Sequence, residues 1–292
     1  NYLRENNLYG LENIIEISGE ILPRIPFINN QKARNSLRKK NNQESIFGEY
    51  DERDDDDEGP SILILHTYGE GMVEEWAEEL ITENITEWMF TTPELEMLLA
   101  FDIVIAGSNY AWEDPDAVGD ALAQYVDLGG NLIMLGATFH TGGNWAIGGA
   151  IQDSLYNPIA LSSYTCCSEW NSLNIASISD HPINNNVDEL STRLFANTTV
   201  QPWGTSLGIY ENPSSSGDPI PFGAFNPDKH IVALNVFGVG EEGDWWTGDL
   251  GRLLNNSIGW MFSESLAGVI PPFQETSIQV RINAAGIPGG DY

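Results

Sequence analysis

The sequence is poor in basic residues, in cysteine and in long hydrophobic runs. Of its 292 residues, 12 are Lys or Arg and 43 are Asp or Glu, which gives a net charge of −31. Such a surface repels nucleic acids and anionic membranes, so we expect neither as a partner. No apolar run approaches the roughly 18 residues that span a bilayer, so we expect no membrane insertion. The acidity favours an extracellular or cell-surface protein, because salt there screens the self-repulsion.

The only two cysteines, Cys166 and Cys167, are adjacent in the chain. A zinc site needs more ligands than this pair supplies, and nothing in the sequence indicates a cofactor. The cysteines are therefore either two thiols, free or buried, or a vicinal disulfide that closes a small ring and rigidifies its loop. The sequence leaves both interpretations open.

The first part of the chain, residues 1–59, differs in composition from the rest. It holds 8 of the 12 basic residues and ends in the acidic run 54–58. Like charges in a row oppose collapse, so we expect a polar, acidic N-terminal extension or linker. A calcium loop is disfavoured, because the twelfth position of an EF-hand would fall on Leu65, inside an apolar run.

The middle of the chain predicts a strand, a helix and a second strand. Asp102–Ala106 and Asn131–Leu135 are apolar runs too short for helices, as expected of buried parallel strands. Between them, Asp114 can cap a helix that Pro115 begins and Gly129 ends. A βαβ unit of this kind is the building block of a parallel sheet.

The remaining pattern extends this unit to an α/β domain over residues 60–263. Further strands are predicted at Ser61–Leu65, Asn174–Ser179, Ser206–Tyr210 and Ile231–Val236. Further helices are predicted around Trp76, at Pro93–Ala100, and from Thr247 or Asp249 onward. The alternation predicts a flavodoxin-like three-layer sandwich around a mainly parallel sheet. In the last part, 264–292, Thr276–Ile282 alternates as a strand with one buried face, which predicts the first strand of an immunoglobulin-like β-sandwich or an assembly strand.

Several passages carry a family likeness: GSNYAW, YVDLGGNLIMLGATFH, DHPINN and HIVALNVFG followed by WWTGDLGRLLNNSIGWMF. In their order they resemble the class I glutamine amidotransferase-like superfamily, and most of all its secreted ThuA-like members. The segment SESLAGVIPPFQETSIQVRINAAGIPGGDY resembles the opening of BACON-like or immunoglobulin-like modules. Together the resemblances imply part of a multidomain, secreted or surface-attached protein.

The turn after the Asn131–Leu135 strand is where the amidotransferase pattern places a cysteine nucleophile. This chain has Gly136, Ala137 and Thr138 there. Neither Gly nor Ala can attack a substrate, and Thr138 has no neighbouring base in the sequence. Glutaminase and cysteine-protease chemistry are therefore disfavoured.

Ligand-binding candidates are expected where parallel strands end, because the crevice of an open sheet lies there. His66, Ser108, Thr138 and His140 follow strand ends. A histidine pair, with Glu70 or Asp249, could bind a metal or exchange protons, whereas each histidine could instead only bond loop backbone.

Loop tryptophans form a second set of candidates, with Trp245 and Trp246 foremost. Aromatic faces beside polar side chains suit a sugar, although large aromatic rings also seal long loops onto a sheet. The sequence thus favours a non-catalytic module with a structural or adhesive role, self-assembling through its C-terminal strand. Expected partners are other copies, neighbouring extracellular domains or glycans. The alternatives are a carbohydrate-active or hydrolytic ThuA-like enzyme and a glycan-binding module.

Overall fold

A computed structural model describes residues 59–69 and 71–266. The expectations for the N-terminal linker and for the strand Thr276–Ile282 lie outside these residues. Ten strands and four α-helices occur in the described part: β1 Ile62–His66, α1 Glu74–Glu78, β2 Ile85–Met89, α2 Leu95–Leu98, β3 Ile103–Gly107, α3 Pro115–Asp127, β4 Asn131–Leu135, β5 Tyr164–Ser172, β6 Leu190–Ala196, β7 Thr205–Ile209, β8 Pro221–Asn226, β9 Ile231–Leu234, β10 Trp246–Gly248 and α4 Leu250–Leu266.

The central sheet has seven strands in the order β2-β1-β3-β4-β9-β8-β7. The pairs from β2 to β9 are parallel, whereas β8 and β7 add antiparallel strands at one side. Numbered along the chain, the five parallel strands follow the order 2-1-3-4-5 of flavodoxin-like folds. The predicted α/β class with a mainly parallel sheet is confirmed.

Two hydrophobic cores lie on opposite faces of this sheet. Successive strand residues point to opposite faces, so Ile62 and Ile64 pack on the side of α1 and α4, and Leu63 and Leu65 on the side of α2 and α3. All four side chains are buried. Burial on both faces explains why the parallel strands are continuous apolar runs, and it gives the predicted three layers.

The helix α3 forms as its end signals predict. Asp114 Oδ1 accepts a hydrogen bond from the amide of Ala117 at 3.0 Å, and Pro115 occupies the first helical position. After the helix, Gly129 takes a positive φ of 82°. That left-handed conformation suits glycine and stops the helix.

A smaller antiparallel sheet, β10-β6-β5, contacts the turn after β4 through β6. The buried amide of Asn235, just after β9, fixes the end of β6. Its Oδ1 accepts from the amide of Ala196 at 2.8 Å, and its Nδ2 donates to the carbonyl of Ala196 at 2.9 Å. These bonds place the small sheet beside the carboxyl ends of the parallel strands.

The predicted strand Asn174–Ser179 is wrong. A 3₁₀ turn, Ile175–Ser177, occupies this segment. The hydroxyl of Ser177 donates to the carbonyl of Asn174 at 2.6 Å and accepts from the amide of Ile209 at 2.9 Å. Short polar side chains that bond nearby backbone compete with a strand, and here they prevail. Five strands were not anticipated: β2, β5, β6, β8 and β10.

None of the helices in the described ranges is long and apolar enough to cross a membrane.

Candidate functional site

The strand order reverses between β1 and β3, and a crevice is expected outside the carboxyl ends of these two strands. The loops that follow them are tied together by Thr67. Its hydroxyl donates to the carbonyl of Tyr110 at 2.7 Å and accepts from the amides of Asn109 and Tyr110, each at 3.1 Å. These three bonds hold the two loops against each other where a ligand would otherwise enter.

His66 ends β1 and is fully buried. Its Nδ1 accepts from the amide of Tyr68 at 3.1 Å, and its Nε2 lies 3.3 Å from Oε2 of Glu87 on β2. These partners assign the proton to Nε2, which donates to the carboxylate. Burial lowers the pKa of His66, although Glu87 acts in the opposite direction. The imidazole is therefore neutral near pH 7, with its lone pair in use.

Tyr68 fills the space above β3. A Cβ placed on Gly107 would collide with the phenol ring, so glycine is what allows the ring to lie on the strand end. Tyr68 is 2% exposed, and its hydroxyl has no hydrogen-bond partner among the described residues. Burial raises the pKa of this hydroxyl. The crevice is thus occupied by the chain's own side chain.

The turn after β4 holds no group aimed at the crevice. Gly136 begins it with a positive φ of 32°, and a Cβ there would lie 2.6 Å from the carbonyl oxygen of Val236. Thr138 is fully buried and donates to the carbonyl of Leu135 at 2.9 Å. Ser108, the candidate after β3, is also buried and accepts from Trp112 Nε1 at 3.1 Å. Both hydroxyls serve local structure.

His140 lies in a different setting from His66. Its ring is tilted by 30° against that of Tyr164, with centroids 4.2 Å apart, and by 58° against that of Trp145, at 4.8 Å. Nδ1 lies 3.4 Å from the carbonyl of Thr141, and the buried Nε2 has no partner among the described residues. Burial lowers the pKa of His140.

The two histidines share no described partner. His66 directs Nε2 toward β2, whereas His140 follows β4 on the other side of β1 and β3. The axes of β1 and β4 are about 9–10 Å apart, since β3 lies between them. Of the expected helpers, Asp249 accepts from the amides of Asp188 and Glu189, and Glu70 lies outside the described residues. Among the described residues, no hydrogen bond or ion pair joins His66, His140 and Asp249.

Trp245 and Trp246 face different surroundings. Trp246 is 1% exposed and donates from Nε1 to the carbonyl of Gly240 at 3.3 Å. Trp245 is half-buried, and its ring stands perpendicular to Phe237, with centroids 5.6 Å apart. The sugar-stacking interpretation therefore concerns Trp245 more than Trp246, whose ring presents no free face to solvent.

The cysteine pair begins a bulge in β5. Cys166 pairs with Leu194 and Asn171 with Thr192, so four residues, 167–170, lie opposite the single residue Arg193. The two sulfur atoms are in contact as a vicinal disulfide, and Cys167 takes a positive φ of 83°. Chemical analysis of the protein is the test of this disulfide, which stays a prediction.

Sequence reasoning did not single out Glu87, Tyr68, Tyr164 or Arg193. Glu87 lies on a strand that was not predicted, and Arg193 on another. One sequence signal could have drawn attention to Arg193. Residues 59–266 contain only three Lys or Arg residues, Arg193, Lys229 and Arg252.

An open cavity of about 420 Å³ lies beside β2, and its lining includes Glu87, the partner of His66. Its lining is acidic and apolar: Ala77, Glu78, Leu80, Thr82, Glu83, Ile85 and Glu87. Across residues 59–69 and 71–266, no group of three or more His, Cys, Asp or Glu side chains could hold a metal ion.

No protein-family model matches the sequence, and no curated protein matches it. Several solved structures are similar to it at low sequence identity. A protein from Bacteroides uniformis ATCC 8492 that is named as ThuA-like has 16% identity and a TM-score of 0.49, and the match covers 74% of this chain and 96% of that one.

The second similar structure is a cytoplasmic protein from Salmonella typhimurium LT2, with 13% identity and a TM-score of 0.49, over 69% of this chain and 99% of that one. The third is alpha-L-fucosidase isoenzyme 2 from Paenibacillus thiaminolyticus, with 13% identity and a TM-score of 0.44, over 71% of this chain and 33% of that one. The first of these structures is named as ThuA-like, as is the family that the sequence resembles. With TM-scores below 0.5, these similarities carry no argument about family or activity. The BACON-like or immunoglobulin-like likeness stays a prediction.

Proposed function

We propose that this chain is a non-catalytic module with a structural or adhesive role in a secreted or cell-surface assembly. The observation that carries the proposal is the state of His66. Both of its ring nitrogens are already bonded, one by the amide of Tyr68 and the other by Glu87. A general base needs a lone pair within reach of a substrate proton, and this imidazole offers none.

The turn that would hold a nucleophile supports the same proposal. Thr138 is buried and bonded to Leu135, and no described base contacts it. Tyr68 fills the neighbouring crevice. A substrate would have to displace this side chain before it could reach any group on the turn.

The rival proposal is a carbohydrate-active or hydrolytic enzyme that uses His66 and His140. A turnover test separates the two proposals. The purified chain is incubated with panels of glutamine amides, esters and oligosaccharides, and products are sought by mass spectrometry. No product is expected. A product whose formation is lost in His66→Gln or His140→Gln, with the fold retained, would establish the enzyme and overturn our proposal.

The assembly role rests on charge and on the C-terminal strand pattern. A net charge of −31 suits a salty extracellular medium. The pattern of Thr276–Ile282 is that of a strand with one apolar face. The backbone of such a strand would pair with the edge of a neighbouring sheet by β-augmentation, and its apolar face would pack on the neighbour. Sedimentation velocity over a range of concentrations tests this idea. Val280→Lys should reduce association, while Gln279→Lys, on the polar face, should not.

A second candidate function is glycan binding, and one observation favours it. Tyr164, at the start of β5, and Trp170, in its bulge, keep 43% and 37% of their surface exposed. Exposed aromatic rings beside polar groups are what a sugar needs for stacking. A glycan array with wild-type protein, Trp245→Ala and Trp170→Ala would show whether any glycan binds and through which ring.

A further inference from the structure

Arg193 is the one basic residue between residues 59 and 266 that lacks a described carboxylate partner. Lys229 pairs with Asp127 at 2.7 Å, and Arg252 lies 3.4 Å from Asp249. No such contact within 4.0 Å joins Arg193 to an acidic side chain of the described residues. An unneutralised guanidinium is unexpected in a chain this acidic, where carboxylates are abundant.

The guanidinium of Arg193 is nevertheless held firmly in place. It lies 5.6 Å from the ring centroid of Trp170 and 5.9 Å from that of Trp245. Nη2 donates to the carbonyl of Cys167 at 2.8 Å, and Nη1 lies 3.5 Å from the carbonyl of Asp244. A guanidinium has five N–H groups, so most of its donors remain for another acceptor. Two aromatic rings and two backbone carbonyls therefore set its orientation, without an ion pair to a described residue.

The bulge of β5 explains how this arrangement arises. Four residues face Arg193 across the ladder, so the bulge carries Trp170 outward and brings the carbonyl of Cys167 to the guanidinium. Cys167 keeps its left-handed backbone conformation beside Cys166. Bulges redirect side chains, and this one presents a half-exposed indole next to a fixed positive charge.

We propose that Arg193 and Trp170 form a binding site for a sugar that carries a carboxylate, such as a hexuronic acid. The guanidinium binds the carboxylate through its planar pair of N–H donors, a geometry that gives strong, specific bonds. The exposed indole takes the apolar face of the sugar ring. This inference deepens the adhesive role proposed above, on which it rests, by naming the class of ligand.

The charge distribution selects this ligand class over other anions. One guanidinium can neutralise one carboxylate. The many phosphates of a nucleic acid would instead be repelled by the net charge of −31. Glu169, next to Trp170 in the chain, is exposed, and its carboxylate disfavours ligands that carry several negative charges.

Isothermal titration calorimetry with a galacturonate trisaccharide and a glucuronate-containing tetrasaccharide tests the proposal, with the neutral galactose trisaccharide as comparison. We expect the full chain to bind a uronate ligand and not the neutral one. Arg193→Met and Trp170→Ala should each weaken binding at least about 10-fold, because charge-assisted bonds and ring stacking are both lost. Arg193→Lys keeps the charge but loses the planar fork, so it should bind with intermediate affinity.

Arg252→Met is the matched control, since Arg252 has its own carboxylate partner and should leave uronate binding unchanged. Circular dichroism and thermal melting confirm the fold of each variant. Trp170 is partly exposed, so Trp170→Ala keeps the test valid if Arg193→Met fails to fold.

Four results would overturn the site. They are no binding of either uronate ligand at millimolar concentration, equal binding of the neutral sugar, uronate binding that survives in Arg193→Met and Trp170→Ala, and binding of an acidic peptide in place of the uronates. Mass spectrometry of the same mixtures distinguishes the two proposals. Cleaved sugar would refute the non-catalytic module whether or not Arg193 binds, whereas absent binding without cleavage refutes only the site.

Discussion

Removing the hydroxyl groups of two buried tyrosines should change the free energy of unfolding in opposite directions. Tyr68 and Tyr210 are 2% and 1% exposed. The hydroxyl of Tyr210 donates to the carbonyl of Asn235 at 2.7 Å, whereas that of Tyr68 has no partner among the described residues. Tyr→Phe leaves the packing almost unchanged at both positions, so it isolates the contribution of the hydroxyl group.

The magnitudes follow from the cost of burying a hydroxyl group. Burial without a hydrogen bond costs about 1–3 kcal/mol, so Tyr68→Phe should raise the free energy of unfolding by about 1 kcal/mol or more. Tyr210→Phe removes the buried hydrogen bond to Asn235 and leaves that carbonyl without this donor. It should therefore lower the free energy of unfolding by about 1–2 kcal/mol. The two variants should therefore differ by at least about 2 kcal/mol.

Urea unfolding of the wild type and both variants is the assay. The slopes of free energy against urea should agree, because the surface exposed on unfolding is the same. The midpoints should then lie on opposite sides of the wild type. If Tyr68→Phe is as destabilising as Tyr210→Phe, the Tyr68 hydroxyl has a partner in solution, and the crevice above Gly107 is not closed as the structure describes.

Three further predictions concern His140, Asp114 and the cysteine pair. Burial lowers the pKa of His140. Below about pH 6.5 the unfolded state therefore takes up a proton that the folded state does not, so the free energy of unfolding decreases as the pH is lowered. His140→Phe should remove this part of the pH dependence. Urea unfolding at several pH values measures it, and an unchanged pH dependence would contradict it. Asp114→Ala should lose about 1 kcal/mol through its cap bond, and Glu113→Ala should not. Intact-mass measurement before and after reduction should show Cys166 and Cys167 gaining two hydrogens, and alkylation without reduction would refute the disulfide.

Much of the fold could be predicted because its signals are local. Asn131–Leu135 is a continuous apolar run, and it forms β4 with the expected bounds. Asp114 and Pro115 mark the start of α3, as they do in the structure. These signals depend on the segment itself, since a buried parallel strand and a capped helix each leave a pattern in a few consecutive residues.

The strands that the sequence did not predict form through pairing with segments far away in the chain. The strand β2 is an edge strand whose residues are only half-buried or exposed, so Ile85–Met89 shows no continuous apolar run. The strand β5 contains the cysteine pair and a four-residue bulge, both of which break its alternation. β8 begins with Pro221, a residue that argues against a strand.

The sequence pattern gives the positions of the candidate residues in the fold but not their contacts. His66 ends β1 and Thr138 lies in the turn after β4, as the apolar runs predict. Their burial and partners could not be predicted, because Glu87 comes from a strand that the pattern does not reveal. The stacking of Arg193 on Trp170 similarly depends on the bulge, which aligns residues 23 positions apart.

The state of His66 in solution tests the central claim most directly. Nitrogen-15 NMR of the imidazole ring reports which nitrogen carries the proton and at what pH the ring becomes charged. The account predicts a single neutral form protonated at Nε2, with a pKa below the usual value of about 6.5. An imidazole with its proton on Nδ1, or one that titrates freely near pH 6.5, would leave a lone pair for catalysis and contradict a non-catalytic module.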